Sequence, residues 1–114
     1  MGKFVIKLRT NGDVQFDLKA ANGQVILTSQ GYKSMDSCLN GIASVKKNSL
    51  DDAHFERKTA KNGKPYFNLM ATNGQVIGTS EMYSNNANME NGIASVRKNA
   101  PTAEIIDKTK EQPK

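Results

Sequence analysis

Asn40-Gly41-Ile42-Ala43-Ser44-Val45 returns as Asn91-Gly92-Ile93-Ala94-Ser95-Val96, and Asn22-Gly23-Gln24-Val25-Ile26 returns as Asn73-Gly74-Gln75-Val76-Ile77. Both pairs are separated by 51 residues, and the same shift, applied without a gap from Phe4 to Asn48, meets an identical residue about half the time. Two copies are too few for an open solenoid, which needs three or more units to bury its core. They suit two units closed on each other as one pseudo-symmetric domain.

Working outward, each copy opens with alternating runs. Phe4, Ile6 and Leu8 share one side of the segment Phe4 to Arg9, and Val14, Phe16, Leu18 and Ala20 share one side of the next. Period two predicts half-buried strands. Asn11-Gly12 and Asn22-Gly23 separate them from each other and from a third strand, Val25 to Gln30, and each Asn-Gly pair predicts a type I′ hairpin with both residues at positive φ. The second copy repeats the pattern with Asn62-Gly63, Phe67, Leu69, Ala71, Asn73-Gly74 and Val76 to Glu81.

After Tyr32 and Tyr83 the period changes: Cys38, Ile42 and Val45, and likewise Met89, Ile93 and Val96, fall at i, i+4, i+7. This predicts amphipathic helices over 35–48 and 86–99. Ser34 and Asn85 suit N-caps, Lys46-Lys47 and Arg97-Lys98 oppose the helix dipole in the last turn, and Asn48 and Asn99 suit a left-handed helix end, with Pro101 discouraging continuation. Gly41 and Gly92 each cost roughly 1 kcal/mol relative to alanine in mid-helix. Their place beside the apolar stripe argues for a close approach of helix to sheet, where a methyl group would push the helix away.

Residues 53–60, Ala-His-Phe-Glu-Arg-Lys-Thr-Ala, align both with the first strand, Phe55 matching Phe4, and with the segment after the second helix, Phe55 matching Ile106. One strand thus closes the first unit and opens the second, giving β-β-β-α-β-β-β-α-β with a last strand over 103–109. The expected boundaries are one domain over 2–110, made of repeats 2–60 and 53–110 that share strand 53–60, and a polar tail over 111–114. Arg57 and Thr59 stand where the first copy has Ile6 and Leu8, so either the strand runs past the helices there or a bulge shifts its phase.

The twin Asn-Gly-Gln-Val-Ile and Asn-Gly-Ile-Ala-Ser-Val-(Lys/Arg)-Lys-Asn blocks closely resemble the YegP-like family of small bacterial proteins of uncharacterised function. The resemblance covers nearly the whole chain apart from the tail. It implies an α+β fold of two tandem β3-α-β repeats that share a single antiparallel sheet of about seven strands, exchange their C-terminal strands and carry both helices on one face. Single-repeat relatives would build the same object as dimers, so the resemblance makes this chain a fused dimer, hence a monomer. It brings no activity, substrate or catalytic residue.

Composition narrows function by exclusion. No stretch approaches the roughly 18–20 apolar residues of a membrane span, and Met-Gly-Lys-Phe-Val-Ile-Lys is too short and too charged for a secretory signal. A single cysteine excludes an intramolecular disulfide and, with these, makes a reducing, cytoplasmic setting the expectation. Sixteen Lys and Arg against eleven Asp and Glu give +5, a pull toward polyanions, but the cations are spread from Lys3 to Lys114 without a run.

No set of residues converges on a reaction. Cys38 exchanges with Met89 on an apolar helix face and reads as core. His54 has no sequence-evident partner for general-base work. One His and one Cys leave a zinc site to carboxylates alone, and no phosphate-cradling glycine motif is present. The repeated Thr28-Ser29 and Thr79-Ser80, followed by Tyr32 and Tyr83, are best read as satisfying backbone groups near the strand-to-helix connection.

With both helices on one face, the other displays Lys7, Arg9, Gln15, Asp17, Lys19, Lys58, Tyr66, Asn68 and Met70. The expectation is therefore a non-enzymatic binding or interaction module without cofactor or metal, its partner unknown, with a protein expected first. The alternative is weak nucleic-acid binding through Lys7, Arg9, Lys19, Lys58 and Tyr66 on a basic open face, although one aromatic ring is few for a stacking platform. Because the identities fall on turns, caps and core, a local function belongs where the copies differ.

Overall fold

The alternating runs become strands in a computed structural model that describes residues 2–109. In chain order these are β1 (Lys3–Leu8), β2 (Val14–Lys19), β3 (Val25–Ser29), α1 (Met35–Asn48), β4 (Phe55–Thr59), β5 (Pro65–Met70), β6 (Val76–Thr79), α2 (Asn86–Asn99) and β7 (Glu104–Asp107). A single 3-10 turn precedes β4 and another precedes β7. The strands form one sheet in the order β4-β5-β6-β3-β2-β1-β7. Both helices cover one face, and between them and the sheet lie Phe4, Ile6, Phe16, Leu18, Leu27, Phe67 and Leu69 together with Cys38, Ile42, Val45, Met89, Ile93 and Val96. The helix bounds are those of the sequence pattern. The expected tail lies outside the described residues.

The units meet where β3 pairs with β6, Thr28 opposite Thr79. Here the repeat breaks for a reason of space. A Cβ at Gly78, the counterpart of Leu27, would lie 2.8 Å from Leu27 Cγ, so one leucine fills the volume where β3 meets β6 and the other copy must be glycine. Matching bulges shift the register after Leu18 and after Leu69, which lets Ile26 and Leu27 be buried in succession.

The sheet is mixed, because one edge pair departs from the expected antiparallel arrangement. After α2 the chain crosses to the first unit and lays β7 parallel to β1, Phe4 beside Ile105 and Ile6 beside Asp107. After α1 it enters β4, which pairs antiparallel with β5, Phe55 opposite Leu69 as Phe4 is opposite Leu18. Crossing over from a helix end returns the chain in the direction of the strand it joins, whereas a hairpin reverses it.

Two other local expectations are corrected. Glycines 12, 23, 63 and 74 have positive φ, but no other described residue does. The turns are three-residue loops: Arg9 N–H donates to the Asp13 carbonyl and Gly12 N–H to the Arg9 carbonyl, a type I turn followed by a left-handed glycine. Asn11 stays at negative φ because its side chain caps the turn, Oδ1 accepting from the Asp13 N–H at 3.0 Å; Asn22, Asn62 and Asn73 do the same. The helices likewise do not end on a left-handed asparagine. Asn48 and Asn99 donate back to the carbonyls of Ser44 and Ser95, both at 2.8 Å, and so satisfy last-turn acceptors from within the helix. The N-caps are as expected, Ser34 accepting from Ser37 N–H and Asn85 from Asn88 N–H.

Gly41 and Gly92 do allow a close approach, but to a side chain. A Cβ on Gly41 would lie 2.7 Å from Tyr32 Cζ and one on Gly92 2.6 Å from Tyr83 Cζ. Each tyrosine ring lies between its helix and a core phenylalanine, Tyr32 stacked on Phe16 and Tyr83 on Phe67, with centroids 6.2 Å apart in both.

Candidate functional site

The predicted binding residues belong to the strand phase that the helices leave uncovered, and the register divides them into two groups. Lys58 and Tyr66 are direct cross-strand neighbours in β4 and β5, while Lys19 in β2 faces Lys3 in β1, where Lys7 also lies. Arg9 follows β1 at the end of the same half-sheet. Between β5 and β2 stand β6 and β3, which at about 4.8 Å per step puts the groups roughly 14 Å apart at their nearest strands. The structure does not bring the five residues together as one patch.

Most of these cations are engaged within the protein. Lys7 Nζ lies 3.1 Å from Asp17 Oδ2, and Gln15 Nε2 donates to the other oxygen of that carboxylate at 2.9 Å. Asp17 is 5 % exposed although it lies on the open face, so its negative charge draws Lys7 inward. Arg9 donates through Nε to Gln15 Oε1 at 2.7 Å and through Nη2 to the Ser29 carbonyl at 3.3 Å. Lys58 lies 4.0 Å from Glu56, whose Oε1 accepts from Asn68 Nδ2, and Asn68 in turn accepts from the Thr79 hydroxyl. Such a lattice of mutually satisfied groups offers a polyanion less free charge than a sequence count suggests.

The remaining candidates have structural partners. Ser29 Oγ accepts from the Phe16 N–H and donates to the Gln30 carbonyl, and Ser80 Oγ does the same between Phe67 and Glu81, so the repeated hydroxyls complete the sheet where β3 and β6 leave their neighbours. His54 ends the 3-10 turn before β4, with Nδ1 donating to the Met70 carbonyl at 3.0 Å and Nε2 3.8 Å from Asp51. Among the described residues no cluster of His, Cys, Asp and Glu could hold a metal ion. No helix among them is long and apolar enough to cross a membrane.

Cys38 is fully buried in α1, and burial, helped by the negative charge of Asp107, pushes its thiol from 9.0 up to about 11. Tyr32 and Tyr83 are also raised above 10.0, chiefly by burial. A group whose folded-state pKa is raised contributes stability that is complete below its unfolded pKa and is lost as pH rises through the folded value. The protein is therefore expected to hold its stability up to about pH 9 and to lose it progressively through pH 11, and a thiol reagent at pH 8 is expected to modify Cys38 no faster than the protein opens. Rapid stoichiometric labelling of the native protein at pH 8 would contradict this environment.

Sequence reasoning missed the edge formed by β4. The phase there does not shift: Arg57 is opposite Phe67 and Thr59 opposite Pro65 in an unbroken register, which excludes a bulge. Arg57 points to the helix side and is clamped by Glu90 of α2 at 2.6 Å and by Asp52 at 3.0 Å. Its hydrogen bonds hold both carboxyls below the usual range, while the two carboxylates raise the guanidinium further. The signal was present in the repeat, since Arg57 and Glu90 replace Ile6 and Leu39 together.

A family described as a domain of unknown function (DUF1508) matches the chain twice, over residues 10–56 and 60–107. A UPF0339 protein of Acinetobacter baylyi is 53% identical over 108 residues, covering 95% of this chain and 97% of that protein. The solution NMR structure of a UPF0339 protein from Shewanella oneidensis superposes with a TM-score of 0.92 at 48% identity, covering 97% of this chain and 94% of that one. That of YegP from Escherichia coli, a protein of unknown function, gives 0.91 at 46% identity, covering 95% and 93%. Matched twice by one family and alike in fold and sequence over nearly its whole length to these relatives, the chain belongs to the DUF1508 family, in its two-repeat, YegP-like form.

Proposed function

We propose that this protein is a non-catalytic interaction module that engages other proteins through the edge of its sheet. The observation that supports the reading is the inequality of two equivalent strands. β1 is paired on both sides, by β2 and β7, whereas β4, its counterpart one repeat later, is paired among the described residues by β5 alone and forms one end of the sheet, as β7 forms the other. An unpaired strand edge presents a row of backbone donors and acceptors and is a template for adding a strand, which natural proteins either use, cover or guard with charge and short length.

The test is an amide NMR titration with a degenerate pool of extended peptides and, separately, with single-stranded RNA and DNA at low salt. The peptide pool is expected to shift the signals of residues 55–59. Oligonucleotide shifts at Lys7, Arg9, Lys19, Lys58 and Tyr66 that fade as salt rises, with β4 silent to peptide, would replace this reading by nucleic-acid binding.

A further inference from the structure

We propose that the strand received by β4 belongs to another protein, runs parallel to β4, is apolar beside Phe55 and is acidic toward its C-terminal end. This deepens the interaction-module reading and rests on it. The geometry comes from the other edge. β7 is held on β1 by the Gly2 carbonyl, which accepts from Glu104 N–H at 3.4 Å, and by the Ile6 carbonyl, which accepts from Lys108 N–H at 2.8 Å. One repeat later these positions are Ala53, in the 3-10 turn before β4, and Arg57, within β4 itself. Because Phe55 pairs with Leu69 as Phe4 pairs with Leu18, the alternation of the ladder turns the backbone groups of Phe55, Arg57 and Thr59 outward, and along β4 no described strand meets them; at the start of the lane the Phe55 N–H donates to the Asp52 carbonyl and its own carbonyl accepts from Arg57 Nη1 at 3.5 Å, so an added strand would displace these local bonds there.

The side chains show how the second copy keeps this lane open in water. In the first copy Val5 and Ile6 are 8 % and 0 % exposed beside β7; their counterparts are Glu56 and Arg57, both exposed. Thr59 and Glu90 likewise replace Leu8 and Leu39. Charges along an edge suppress indiscriminate pairing without removing the backbone donors and acceptors. These differences between the copies thus lie along β4, one of the two strands that end the sheet.

With the direction taken from β7 on β1, charge sets the partner. Beyond the clamped Arg57, β4 continues through Lys58 into the turn that carries Lys61 and Lys64, and neither turn lysine has an ion-pair partner among the described residues. A parallel strand brings its C-terminal end to this turn, so acidic residues there are complementary and basic ones are opposed. That argues against the corresponding strand of a second copy, in which Lys108 follows Asp107 and would approach the same lysines. Phe55, at the start of the lane, favours an apolar neighbour.

The probe is the peptide Thr-Val-Ile-Val-Asp-Glu-Asp-Glu, its N-terminus capped by an acyl group that carries a nitroxide, titrated into the labelled full chain. Expected are shifts confined to residues 53–61, line broadening centred on Phe55, and binding weaker by about tenfold or more when Lys and Arg replace the acidic residues. Arg57→Pro, which removes an outward N–H without touching the β5 ladder, should abolish binding, while Arg57→Ala loses the same ion pairs but keeps the N–H and should bind within about threefold of wild type. Lys61→Glu with Lys64→Glu lies outside the strand and should reverse the charge preference even if the proline variant does not fold. Broadening centred on Thr59, or indifference to peptide charge, would overturn this inference and leave the interaction-module reading standing. A silent β4 up to millimolar peptide would overturn both, and concentration-dependent dimers that perturb β4 would assign the edge to a second copy instead.

Discussion

Replacing Phe16 by alanine is expected to destabilise the protein by about 3–5 kcal/mol. The ring is fully buried, meets Phe4 edge-on with centroids 5.7 Å apart and stacks on Tyr32 at 6.2 Å with an interplanar angle of 12°. The site cannot collapse easily. The Phe16 N–H is fixed to Ser29 Oγ, β2 lies between β1 and β3, and Tyr32 is confined above by Gly41. Removing the ring therefore leaves a cavity in addition to the lost transfer energy, and it frees Tyr32 from the wall that holds it under α1. Against a total stability of about 5–15 kcal/mol for a domain, this is a large fraction. Urea unfolding checks it. Phe67→Ala should give a loss of similar size, since Phe67 meets Phe55 at 5.6 Å and Tyr83 at 6.2 Å in the same geometry. A loss below about 1.5 kcal/mol for either, the range of a volume-conserving swap, would mean that the stack does not organise its half of the core.

Gly92→Ala is the second large effect, and its sign opposes helix propensity. In mid-helix the exchange should stabilise by roughly 1 kcal/mol. Here the methyl group would overlap the Tyr83 hydroxyl oxygen and lie 2.6 Å from Cζ and 3.2 Å from Cε1, and the ring is backed by Phe67, so it cannot retreat without disturbing the core. Overpacking costs typically about 1–3 kcal/mol, and because the nearest atoms are a rigid ring and not the end of a flexible chain the upper part of that range applies, leaving a net loss of about 1–2 kcal/mol. The double variant Gly92→Ala with Tyr83→Leu should lose less than the two single losses added, because the shorter side chain removes the overlap. Strict additivity, or stabilisation by Gly92→Ala alone, would show that the tyrosine does not require the glycine.

These two variants mark how much of the fold is legible in the sequence. A glycine three residues after Cys38 and another three after Met89 announce a close approach, and α1 and α2 fall on the bounds that period and caps prescribe. The object approached is not legible, because a sequence does not say that Tyr32 and Tyr83 fold back over Phe16 and Phe67. Asn-Gly marks all four turns, yet their type follows from hydrogen bonds: the asparagine side chain caps the next residue but one, which keeps its own backbone at negative φ and leaves the left-handed position to glycine alone.

The candidate site is less legible still. Counting cations on the open face gives a basic surface, but Asp17, Glu56 and Gln15 share that face and engage Lys7, Lys58 and Arg9, a matter of register and not of composition. The β4 edge leaves a trace in the sequence, Arg57 for Ile6 and Glu90 for Leu39, whose meaning depends on knowing which strand has a free side.

By itself the sequence determined two closed repeats, their strands and helices, the turn positions and most of the core, because these depend on periodicity and local backbone chemistry that 51 residues can write twice. Only the tertiary structure decided that β7 runs parallel on β1, that Leu27 leaves room for no second leucine at Gly78, and that β4 ends the sheet. A period-two pattern is blind to strand direction and to the number of neighbours, and two like repeats in one chain can pair β1 and β4 alike on both sides only with one more strand than this chain has between α1 and β4.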